Sequence, residues 1–292
     1  MCCGYYEKFK YGSISLNEFY SRRYKKILPF FTVLVILDLI VSPSLPSLYE
    51  GFADLTLCFA LLPSCGGIHV IGVGWTLGII FLFYMLFPFF CYLIDNKKRA
   101  WLVFCIALVF NYVCIQYFFA PPKMTVQFSS RMNFVYCAVF FIAGGLIYLY
   151  RDSVIRIVSK YRWAALLLCI LITAGYFLWP VSWQNESVFT LQMLVIFSIW
   201  LMYAISVQGK ILCNPVTRYI SNISMEVYLS HMVAFRVVEK LRLTHVFSND
   251  VLSYLLTTGL TLLGTFVFVL AVKWGIGILQ GLLNRLFLKK SE

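Results

Sequence analysis

Long apolar runs separated by short, mostly basic segments make up the chain from residue 28 onward. A helix of about 20 predominantly apolar residues crosses a bilayer. The runs predicted to span are Leu28–Val41, Val73–Ile94, Trp101–Phe119, Phe134–Tyr150, Trp163–Trp179, Phe189–Ser206, Ile220–Val238 and Val251–Trp274. Leu55–Pro63 is apolar but too short to cross as a helix, and the placement of cations decides its fate. If it spanned, the patch Asp95-Asn96-Lys97-Lys98-Arg99 would fall outside. As a re-entrant or interfacial helix it leaves that patch and the later basic clusters inside. Segments 95–100, 151–162, 207–218 and the tail with Arg285, Lys289 and Lys290 then face the cytoplasm, and 120–133, 180–188 and 239–250 face outward. The expected fold class is all-α: a polytopic membrane helix bundle of about eight transmembrane helices plus one short re-entrant or interfacial helix, forming a single domain over 1–292.

Punctuation refines the elements. Pro29 falls at the start of the first apolar run, where a missing N–H is tolerated by a first helical turn. Ser42-Pro43-Ser44-Leu45-Pro46-Ser47 reads as an outer loop, and Gly275, Gly277 and Gly281 mark an amphipathic ending at the interface after the last span.

Composition excludes a soluble domain: 61% of residues are hydrophobic, above the usual apolar share. The net charge of +12 sits in short loops between apolar runs, so positive-inside bias explains it and a nucleic-acid partner is not expected. The ten cysteines lie within or beside spans without C-x-x-C spacing, which supports neither a metal site nor a disulfide framework. Residues 1–26 contain no apolar stretch of signal-peptide type. The expected location is the inner (cytoplasmic) membrane, multi-pass, with membrane lipids as neighbours and both termini cytoplasmic.

Three constellations carry candidate chemistry. In Phe19–Pro29, helical spacing puts Phe19, Arg22, Arg23 and Lys26 on one face. Such a cationic face either anchors the chain to anionic headgroups or binds the phosphates of a nucleotide-like ligand. In Trp75–Pro88, Thr76, Ile80 and Tyr84 share a face, although an aromatic-rich span with an interfacial Trp explains the same residues. In Ser221–His231, Ser224, Tyr228 and His231 form a polar stripe opening a span. The imidazole either exchanges protons as an acid–base group or hydrogen-bonds two helices together. Asp38, inside the first span, is either a functional carboxylate or a hydrogen-bonded structural one.

The order of these elements resembles that of the acyltransferase-3 type of integral-membrane acyltransferases. The family pattern Phe-x-x-Arg-Arg-x-x-Arg-Ile-x-Pro is met by Phe19-x-x-Arg22-Arg23-x-x-Lys26-Ile27-x-Pro29. Trp75-Thr76-Leu77, Phe83-Tyr84 and Pro88 follow its Trp-Ser-Leu-x-x-Glu-x-x-Phe-Tyr-x-x-x-Pro element, and Ser224-Met225-x-x-Tyr228-Leu229-x-His231 its Ser-Tyr-x-x-Tyr-Leu-x-His element. The resemblance implies transfer of an acyl group, usually acetyl, from cytoplasmic acyl-CoA as co-substrate to a hydroxyl of a cell-envelope or exported glycan. No permanently bound cofactor or metal is implied. By the same resemblance Arg22, Arg23 and Lys26 sit near the donor phosphates, and Trp75, Tyr84, Ser224 and Tyr228 line the cavity.

Two departures qualify it. The family's basic-residue-to-histidine element on a first span has no counterpart here, and Cys3-Gly4-Tyr5-Tyr6 resembles the tail of the second family span. Two spans and the expected base therefore lie outside this sequence, which leaves His231 as a substitute base and implies little activity without them. Ile80 stands where many members carry Glu. The competing readings are a transporter or flippase-like protein for a lipid-linked glycan, for which Arg22 and Arg23 would be anchors only, and a non-catalytic remnant.

Overall fold

A computed structural model describes residues 1–61, 73–118, 123, 132–178, 186–207 and 213–288. Among them are twelve α-helices and no strand. In chain order they are α1 (Cys2–Lys10), α2 (Leu16–Val41), α3 (Leu45–Leu55), α4 (Trp75–Met85), α5 (Phe87–Ile94), α6 (Lys97–Val113), α7 (Phe134–Leu149), α8 (Arg151–Lys160), α9 (Arg162–Leu178), α10 (Glu186–Ser206), α11 (Pro215–Lys240) and α12 (Asp250–Leu288). The protein is a polytopic helical membrane protein. By length and composition, three described stretches can cross a bilayer: Lys97–Phe118, Ser187–Ser206 and Asp250–Leu282. The pairs α4–α5 and α7–α8 bring the number to five if each is one span. The described residues of all eight predicted runs fall on helices apart from a turn at Val73–Gly74, the break between Met85 and Phe87 and the ends of some runs, but α2 and α11 mix their apolar residues with charge and α9 is short.

Four boundaries differ from the sequence expectation. Pro29 lies inside α2, not at the start of a helix. The basic segment and the apolar run form one 26-residue helix, so the Lys25 carbonyl lacks the N–H that Pro29 cannot supply. The expected loop 42–47 already contains the start of α3, because the Ser44 hydroxyl accepts the Ser47 N–H at 3.1 Å and caps it. Val73–Ile94 is not one straight span: it bends by 59° between Met85 and Phe87, just ahead of Pro88, which disfavours helical continuation. The ending at Gly275, Gly277 and Gly281 is not a separate element, since α12 runs on through all three glycines. At 39 residues, α12 is about 58 Å long. Of Leu55–Pro63, the described part ends in a tight turn at Phe59–Leu61, and its last two residues lie outside the described residues. So do most of 120–133 and 180–188 and, within 207–218, residues 208–212.

The chain forms two compact units. The first comprises residues 1–19 and 82–217. Its centre is aromatic: Phe19 is fully buried between Tyr5, Phe9 and Phe87, with ring centroids 5.0–5.7 Å away. Phe83, Phe90 and Phe141 continue the cluster at 4.3–4.4 Å. Two buried polar contacts lie in this unit: Asn111 Nδ2 donates to the Tyr136 carbonyl at 2.8 Å, and the Tyr136 and Thr190 hydroxyls meet at 2.6 Å, which spares these groups the cost of an unmade hydrogen bond. Asp95 accepts from the Tyr6 hydroxyl at 2.9 Å and pairs with Lys10 at 3.2 Å, tying α1 to the end of α5.

The second unit comprises residues 20–81 and 218–292. Here α3 lies against α2, where Gly51 faces Val35 and Leu39. Phe31 stacks on Phe59, Tyr24 meets Phe81 edge-on at 4.6 Å, and Phe30 meets Phe268 of α12 at 6.4 Å. Leu57 is fully buried in the left-handed backbone region at φ 58°. A non-glycine residue pays roughly 1–2 kcal/mol there, and burial of its side chain offsets that cost.

Candidate functional site

In the second unit, a cavity of about 300 Å³ brings together polar side chains of three helices. Lys25, Lys26, Pro29 and Phe30 of α2 line it, with Asn222 and Glu226 of α11 and Lys273, Ile276, Gly277 and Gln280 of α12. Each set lies on one helix face by its i, i+3, i+4 spacing. Proline at position 29 also leaves the Lys25 carbonyl without its helical N–H beside this cavity.

The strongest feature is an ion pair. Lys273 Nζ stands 3.2 Å from Glu226 Oε1, with the Glu226 side chain 10% exposed and that of Lys273 44%. A carboxylate this deep in an apolar helix bundle is costly unless paired. Its second oxygen, Oε2, is buried and has no hydrogen-bond partner among the described residues.

Of the three cations expected to meet donor phosphates, Lys26 is among the residues lining this cavity and Arg22 and Arg23 are not. Arg22 is exposed and Arg23 half-buried on the preceding turn of α2. Lys25, Glu226 and Lys273 were not singled out by motif reading. For Glu226 and Lys273 the available signal was charge inside the apolar runs Ile220–Val238 and Val251–Trp274, which marks a functional position by default.

The stripe of Ser224, Tyr228 and His231 lies on the opposite side of α11. Successive residues turn by about 100°, which places these three on average some 170° from Glu226. The His231 ring is half-buried, stands 5.7 Å from the Tyr228 ring, and its Nδ1 donates to the Tyr228 carbonyl at 2.6 Å. A carbonyl only accepts, so Nδ1 carries the proton in this bond. The Ser224 hydroxyl is spent locally, donating to the Ser221 carbonyl at 2.9 Å. Trp75 is half-buried at the start of α4, where the Thr76 hydroxyl donates back to the Val73 carbonyl at 2.8 Å. Tyr84 is half-buried and belongs to the first unit, whereas the other expected site residues belong to the second.

The fold and the cavity define a polytopic helical membrane protein that brings charged side chains of three helices together within one of its units. The family follows from comparison: a model of an acyltransferase domain matches residues 9–270, and the chain belongs to that acyltransferase family. Comparisons with curated proteins and with solved structures gave no match.

Proposed function

We propose that this protein, in the cytoplasmic membrane, transfers an acyl group, acetyl in the first instance, from cytoplasmic acyl-CoA to a hydroxyl of a cell-envelope or exported glycan. The observation that carries the reading is the family match over residues 9–270. The cations at the start of α2 support it by sign, because coenzyme A is polyanionic.

The chemistry asks for two separated functions. Arg22, Arg23 and Lys26 hold the donor phosphates, and a base takes the acceptor proton. Phosphates and thioester lie at opposite ends of the pantetheine arm, so these groups need not share one cavity. His231 supplies the base: its Nε2 accepts the hydroxyl proton, the oxygen attacks the thioester carbonyl, and the C–S bond breaks. The coenzyme A thiolate leaves and is protonated, so ester and free thiol form in equal amounts.

The test is transfer of labelled acetyl from acetyl-CoA in membranes holding equal amounts of each variant. His231→Gln is expected to lower the rate by about 10²–10⁴-fold, the usual contribution of a positioned acid–base group. The triple variant R22Q/R23Q/K26Q is expected to raise the KM for acetyl-CoA. Unchanged transfer in the triple variant would reduce those cations to a membrane anchor and remove the donor-site reading.

A further inference from the structure

Glu226 is the unexplained residue of the α2–α11–α12 cavity. Nothing in acyl transfer by His231 uses it, and its Ser224–His231 neighbours face the other way. It is nine-tenths buried, one carboxylate oxygen is bound by Lys273, and the other is buried and unpartnered among the described residues. An orphaned charged oxygen of this kind costs free energy unless a donor reaches it. Around it stand three lysines for an anion, Lys25, Lys26 and Lys273, and two amides, Asn222 and Gln280. Pro29, Phe30, Ile276 and Gly277 form the apolar part of the lining. The volume is at the lower end of the roughly 300–1,000 Å³ of small-molecule sites.

We propose that this cavity binds a phosphate group with an N–H or O–H donor close beside it, the phosphate on Lys25, Lys26 and Lys273 and the donor on Glu226 Oε2. Two sources present that chemistry. One is a phospholipid headgroup such as ethanolamine phosphate, whose acyl chains would follow the apolar wall. The other is a soluble phosphorylated compound. The anion balances the lysines and the donor satisfies the buried oxygen, so one ligand answers both features. The inference shares Lys26 with the donor site of the acyl-transfer reading and rests on that reading only where coenzyme A is the ligand; binding is measured without turnover, so the two fail separately.

The experiment measures binding to the full purified chain in detergent by native mass spectrometry. The probes are phosphatidylethanolamine, phosphatidylcholine of the same acyl chains, and coenzyme A. Phosphatidylcholine keeps the phosphate but has no N–H, so it isolates the role of Glu226. The chain is expected to retain phosphatidylethanolamine about tenfold better than phosphatidylcholine, the scale of one hydrogen bond to a charged group. Glu226→Gln, which keeps shape and packing, is expected to abolish that preference while phosphatidylcholine binding stays. K25Q/K26Q, at exposed positions, is expected to weaken both lipids alike. Should coenzyme A bind and the lipids not, with binding weakened by Glu226→Gln and by K25Q/K26Q, the same site is confirmed with a soluble source. Equal retention of the two lipids by the unaltered chain with no coenzyme A bound, a preference that survives Glu226→Gln, or no binding of any probe would each overturn the proposal.

Discussion

Single carboxylates in this chain differ in what their surroundings ask of them. Glu226 pairs with Lys273 at 3.2 Å, whereas Asp54, at the end of α3, is 6% exposed and has no cation beside it in the described contacts. Burial pushes the Asp54 carboxyl up to about 7, and the charges of Glu50 and Asp38 add to the rise. An unfolded chain titrates the same group near 4. The folded state thus binds the proton more tightly, and stability falls as pH rises from about 4 to about 7. Asp54→Asn is expected to flatten that slope, read as thermal unfolding of the detergent-solubilised protein across this range. A slope unchanged in the variant would mean that another group carries it. These residues also show where motif reading stops. His231 and Lys26 were legible because their types and spacing repeat a pattern, and Glu226 and Lys273 were not, because they meet only when distant helices pack.

Helices were legible where their apolar pattern is long and uniform, as in α6, α10 and α12. Their breaks were harder to read, because tertiary context moves a boundary without changing local hydrophobicity. Pro29 was expected at a helix start and lies within α2, and the bend before Phe87 interrupts a run that is apolar on both sides. Adjacent glycines in α7 offer a matched test of packing at this scale. A Cβ built on Gly145 would stand 2.5 Å from Phe90 Cζ, whereas one on Gly144 meets nothing within 4 Å. The Phe90 ring cannot step aside freely, being 5% exposed and packed on Phe141. Gly145→Ala should therefore lose about 1–3 kcal/mol to overpacking, partly offset by helix propensity. Gly144→Ala should be neutral or gain up to about 1 kcal/mol. Comparative thermal unfolding of the two variants checks this, and equal midpoints would contradict the aromatic packing described.

For the whole molecule, class and family were legible from hydropathy and three ordered motifs, and the match over residues 9–270 agrees with that reading. The site was legible only in part: residues on one helix can be grouped by spacing, but the opposite placement of His231 and Glu226 on α11 acquires meaning only once α2 and α12 supply their lysines. Acyl transfer and glycan transport make different demands on this architecture, since only the former breaks a thioester. The most direct measurement is therefore on inside-out membrane vesicles carrying the chain, supplied with acetyl-CoA labelled in the acetyl group and an endogenous saccharide acceptor. The account predicts free coenzyme A thiol released slowly, with His231 as the substitute base, and in step with alkali-labile label on the saccharide, above vesicles without the chain. Intact acetyl-CoA in both preparations, or saccharide moved across the membrane with no ester formed, would contradict it.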